Sequence, residues 1–183
     1  MSQLKPYTYV IIDGIFLQRA IDITIEAYTN LKPGITFNKP DLLTVIKHIL
    51  DWYDKSNSRK KTIHCYVWIS DAFDLESRVS VSFTKSSFRT KEANQVRIIF
   101  EKTSIVGPGI LDQLVTLVQN GEVILVADDR IYEATLDKLF DEEYSVKVIM
   151  LNERDGSEMM TTFEWGDIMY PLGMALGLKR TEL

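Results

Sequence analysis

Tyr7-Thr8-Tyr9-Val10-Ile11-Ile12 is a run of aromatic and β-branched residues that stops at Asp13-Gly14. A strand with one solvated face alternates apolar and polar positions, whereas a run of this kind suits a strand buried on both faces, the setting of an inner parallel strand. The chain must then supply helices to cover both sides, and its patterning predicts them. From Ile15 to about Tyr28 apolar residues recur at helical spacing (Phe16, Ala20, Ile23, Ala27) until Lys32-Pro33-Gly34 breaks the pattern. Asn38-Lys39-Pro40-Asp41 opens a second helix whose apolar stripe is Leu42, Val45, Ile46, Ile49 and Trp52. Further strands are expected over 62–69, 96–100, 122–127 and 145–151, and further helices over 110–118, 132–140 and 161–178. The segment from Phe73 to Ser87 has no clear pattern and is expected to be a loop beyond a strand's carboxyl end, where substrates are often met.

Strands alternating with helices predict a three-layer α/β/α architecture around a mainly parallel sheet. The length of 183 residues suits one domain over 1–183. The first residues lack the apolar core of a secretory signal and no stretch is apolar enough to span a membrane, so a cytoplasmic protein without membrane contact is expected. A formal net charge of -5 argues against a protein that coats nucleic acid, which relies on clustered cations, but not against a nucleic-acid enzyme with an acidic site. The single cysteine, Cys65, excludes an internal disulfide, and its place in Ile63-His64-Cys65-Tyr66-Val67 suggests a buried strand. Adjacent strand residues face opposite sides, so His64 is poorly placed to act as base to a Cys65 nucleophile.

Three of the expected strands run into aspartate: Asp13, Asp71 after Ser70, and the pair Asp128-Asp129. Parallel strands place their carboxyl ends along one edge, so these acids can converge from distant parts of the chain. Clustered carboxylates repel unless a cation sits among them, and an oxygen-only donor set suits Mg²⁺ or Mn²⁺ better than Zn²⁺. With two histidines and one cysteine, zinc binding or a Ser-His-Asp triad has little material. Aspartate also serves as a helix N-cap, so Asp13 and Asp129 have a purely structural reading as well.

Ile11-Ile12-Asp13-Gly14 resembles the opening Ile-Asp-Gly of the NYN domain family, the PIN-like ribonucleases. Val106-Gly107-Pro108-Gly109-Ile110-Leu111-Asp112-Gln113-Leu114 is similar to the segment that supplies that family's second aspartate. The block from Ile124 to Leu136, with Asp128-Asp129-Arg130-Ile131-Tyr132 at its turn, resembles the family's third strand and Ser-Gly-Asp-Ser-Asp-Phe turn. The resemblance runs through nearly the whole chain. It implies a PIN-like fold and metal-dependent hydrolysis of RNA, with Asp13, Asp112 and Asp129 as catalytic metal ligands and Asp128 as a further ligand to Mg²⁺ or Mn²⁺. Asp71 and Asp167 are peripheral candidates.

Three positions depart from the family pattern, one of them Asp128, which stands in place of a Gly. Phe16 stands where the family has Asn, and Ile131 where it has a later Asp, so a metal-dependent ribonuclease and a catalytically impaired RNA- or protein-binding module both remain open. RNA contact is expected from Lys85, Arg89, Lys91 and Arg130 near the acidic edge, while Arg59-Lys60-Lys61 lies toward the opposite one. Trp165 and Tyr170 could stack on bases, although their helical spacing with Ile168 and Leu172 equally suits a core stripe. The resemblance also leaves a homodimer open. A phosphatase of the haloacid-dehalogenase type is set aside because Ile15 occupies the place of its second acid. A dinucleotide site is set aside because no Gly-x-Gly-x-x-Gly follows the first strand.

Overall fold

The computed structural model of the chain describes residues 7–53, 62–70, 77–80, 87–89, 95–103, 114–119, 121–127, 129–144, 146–149 and 165–179. In chain order the elements are β1 (Tyr7–Asp13), α1 (Gly14–Leu31), α2 (Leu42–Tyr53), β2 (Thr62–Ser70), β3 (Ser87–Arg89), β4 (Gln95–Thr103), a short helix α3 (114–119), β5 (Glu122–Val126), α4 (Asp129–Asp141), β6 (Val146–Ile149) and α5 (Trp165–Ala175). The strands form one sheet in the order β3-β4-β2-β1-β5-β6. All neighbours are parallel except β3, which runs antiparallel to β4.

β1 occupies the position its sequence demands. It lies between β2 and β5, and Val10, Ile11 and Ile12 are all fully buried. Val10 and Ile12 pack with Phe16, Leu17, Ala20 and Ile21 of α1, with Leu42, Val45, Ile46 and Ile49 of α2, and with Leu172 and Leu176 at the α5 end. Ile11 faces the other way, into a cluster with Leu114 and Val118 of α3 and Tyr132, Leu136 and Leu139 of α4. Strand connections of constant hand put helices on one face when the chain moves one way along the sheet and on the other face when it moves back. Accordingly α1 and α2, which lead from β1 to β2, lie on one face, and α3 and α4, which lead through β5 to β6, lie on the other.

Local chemistry sets the helix ends. Lys32 precedes Pro33 and leaves the helical region (φ -141, ψ 88), as a pre-proline residue tends to, which ends α1. Asp41 opens α2: its Oδ1 accepts from the Thr44 N–H at 2.9 Å and its Oδ2 from the Thr44 hydroxyl at 2.7 Å. The observed elements match the expected ones in kind and order, with α1 continuing past Tyr28 to Leu31 and the last helix described from Trp165 to Ala175. β3 was not expected, since three residues carry too short a pattern to be read. Residues 104–113, with the first part of the expected third helix, lie outside the described residues, as do Arg59, Lys60 and Lys61. Among the described residues no helix is long and apolar enough to cross a membrane.

Cys65 is fully buried in the α1/α2 face of the core, while the His64 ring stacks at a tilt on Tyr9, 5.7 Å between centroids, on the other face. Burial pushes the Cys65 thiol well above its ordinary value near 9, which suits a core side chain and not a nucleophile.

Two expectations follow. Gly177 has φ +89, and a β-carbon there would come within 2.3 Å of the Asn38 side-chain nitrogen, next to the 2.8 Å bond from the Asn38 N–H to the Leu176 carbonyl. Gly177→Ala is expected to cost about 1–2 kcal/mol, read from urea denaturation. In the alkaline range the unfolded chain loses its thiol proton while folded Cys65 keeps it, so this group's contribution to stability falls as pH rises above 9. The stability advantage of wild type over Cys65→Ala is expected to be constant below pH 8 and to shrink by about 1.4 kcal/mol per pH unit above 9, measured by denaturation at a series of pH values.

Candidate functional site

Chain order reverses between β1 and β5. From β1 the chain proceeds outward to β2 and β4 on one side, then returns to β5 and β6 on the other. In open parallel sheets such a reversal leaves a crevice at the carboxyl ends of the two strands, because the connections above them part to opposite faces. Asp13 ends β1 at this point. On the facing strand Val126 pairs with Ile12, and α4 starts at Asp129.

Asp13 is 2% exposed. Its backbone is extended (φ -76, ψ 119) and its Oδ1 accepts from the N–H groups of Ile15 at 2.8 Å and Phe16 at 3.3 Å, so it is the N-cap of α1. The structural reading of Asp13 is thus correct for one of its oxygens. The other, Oδ2, accepts from the Tyr132 hydroxyl at 3.3 Å. Tyr132 is fully buried in the α3/α4 face of the core. Its phenol is pushed far up, first by burial, then by the charge of Asp13 and by the hydrogen bond to it, and so stays a donor throughout the ordinary pH range.

This bond also locates α4. Tyr132 is the fourth residue of the helix and Asp129 the first, about 4.5 Å apart along the axis. The first turn of α4, which carries Asp129 and Arg130, is thereby tied to the carboxyl end of β1. Tyr132 was not singled out in the sequence, although it could have been. It opens the buried stripe Tyr132, Leu136, Leu139, and a tyrosine on an inward apolar face needs a buried partner for its hydroxyl.

The remaining nominated residues divide by position. Asp112, Asp128, Asp71, Lys85 and Lys91 lie outside the described residues, and Asp167 belongs to α5. Arg89 is a correction. It pairs with Gln95 at the start of β4, level with Thr62 and Tyr7 at the amino edge of the sheet, whereas Asp13 is at the carboxyl edge. Six residues of strand, roughly 20 Å, separate the two levels, and three strand spacings are added across the sheet. Arg89 is exposed on an edge strand and does not line the crevice. Phe16 packs into the core with Ile12 and Leu17, so its side chain belongs to the α1 layer.

Among the described residues no group of three or more His, Cys, Asp or Glu could hold a metal ion. What is described of the crevice is one buried carboxylate at the end of the central strand, with the helix that begins at Asp129 tied to it by a hydroxyl.

Removing the Asp13 carboxylate strips α1 of its cap and leaves the Tyr132 hydroxyl buried without its acceptor. Asp13→Ala is expected to cost about 2–4 kcal/mol by denaturation, and Asp13→Asn less, because an amide oxygen can still cap.

Comparisons of the chain with protein-family models, with curated proteins and with solved structures each returned no match.

Proposed function

We propose that the chain is a divalent-metal-dependent ribonuclease of PIN-like, NYN type. The observation that carries this reading is the position of Asp13, a buried carboxylate at the carboxyl end of the central strand, at the reversal point of the sheet, with the amino end of α4 drawn up to it. Asp13, Asp112 and Asp129 would hold Mg²⁺ or Mn²⁺, with Asp128 a further ligand. When bound, such a metal supplies an activated water and stabilises the charge that develops on the scissile phosphate. Asp13, fixed by two backbone N–H bonds, would keep one ligand from reorganising. Arg130, next to Asp129 in the first turn of α4, would meet the RNA backbone, with Lys85 and Lys91 as further contacts. Arg89 lies at the other edge of the sheet, away from Asp13.

One observation favours a second reading, an impaired module that binds RNA or protein without cleaving. Phe16 is 4% exposed and given over to the core, where the resembled family carries a polar side chain. Two measurements separate the readings. Mn²⁺ is expected to raise the melting temperature by several degrees at concentrations well above Kd, because it binds only the folded chain. Asp13→Asn is expected to cut cleavage of single-stranded RNA by about 100-fold or more, the rate equivalent of losing several kcal/mol of charge stabilisation. Stabilisation by Mn²⁺ without cleavage by wild type would favour the binding module, and no stabilisation at saturating Mn²⁺ would remove the metal site altogether.

A further inference from the structure

We infer that Tyr132 is a positioning residue for Asp13, its hydroxyl setting the direction of the oxygen through which Asp13 would hold a cation; this rests on the metal-site reading above. Oδ1 already accepts two backbone N–H bonds, one for each lone pair of a carboxylate oxygen, so a cation at this site would be held through Oδ2. Oδ2 is the atom that Tyr132 contacts, at 3.3 Å. Partners that hydrogen-bond a ligating carboxylate fix its orientation and tune its affinity, and their loss weakens metal binding while the ligand itself remains.

The hydroxyl is more than a by-product of packing. Phenylalanine would fill the same space between β1 and α4 without burying a polar atom that needs a partner. The bond spans 119 positions and joins the end of β1 to the helix that starts at Asp129. One contact thus orients Asp13 and sets the approach of a second candidate ligand. The ring of Tyr132 packs in the core and its hydroxyl donates to Asp13, so its role at the site is exerted through that residue.

The test is calorimetric titration of Mn²⁺ into wild type, Tyr132→Phe and Leu136→Ala, with melting temperatures taken in chelator. Leu136 is fully buried one turn further along the same stripe and serves as the control for loosened packing. Tyr132→Phe is expected to raise the Mn²⁺ Kd by about 10-fold to 100-fold with a smaller fall in melting temperature than Leu136→Ala. Leu136→Ala is expected to keep the wild-type Kd at a temperature where it is folded. A Kd in Tyr132→Phe that equals or is tighter than that of wild type overturns the inference and leaves the metal site standing. So does an equal weakening in Leu136→Ala, which would trace the effect to packing. If wild type itself takes up no Mn²⁺, the metal-site reading falls, and the inference with it.

Discussion

A carboxylate taken out of water needs donors on its oxygens, and Asp13 is almost wholly withdrawn from solvent at the end of the central strand. Donors reach it from both faces of the sheet. The N–H groups of Ile15 and Phe16 belong to α1, on one face of the sheet, and the hydroxyl of Tyr132 belongs to α4, on the other. Satisfying one side chain therefore ties both helical layers to the same point on the carboxyl edge. The apolar clusters supply most of the driving force for stacking the layers, but they are non-directional. The hydrogen bonds of Asp13 specify where along the sheet α1 begins and how closely the amino end of α4 approaches.

The sheet was legible where burial on both faces left its mark on sequence. Tyr7 to Ile12 read as an inner strand and Glu122 to Ala127 as a strand, and they are neighbours at the centre. The Asp13 cap was legible too, because it depends on residues two and three positions away. The Tyr132 contact was not, since nothing local announces a partner 119 residues distant. Arg89 was misplaced for a related reason. A segment that follows β2 was read as staying at the carboxyl edge, where β2 ends. β4 runs parallel to β2, however, so the chain must first return to the amino edge. Arg89 lies closer in sequence to Gln95, where β4 starts, than to Ser70, where β2 ends, and it pairs with Gln95. Nearness to the start of the next parallel strand was the signal overlooked.

Capping and metal binding were set against each other as readings of Asp13, but the geometry separates them by atom. Oδ1 caps α1; Oδ2 faces α4. Phe16 shows a similar division: its N–H serves the cap, while its side chain serves the core. The position that the family resemblance expects to be polar is therefore compatible with the cap and removes only what a polar side chain could have added to the crevice.

A cap alone does not explain this arrangement. Asparagine or serine at Asp13 could accept the same N–H bonds through a single oxygen. Aspartate brings a second oxygen and a charge into a buried place, and that choice calls for a further donor, met here by a tyrosine on the inward apolar face of α4. A fold needing only its helix start fixed would gain nothing from the charged pair over a neutral cap facing phenylalanine. The Asp13–Tyr132 pair thus does more than cap α1, and it stands at the sheet reversal, where open parallel folds leave room for a ligand.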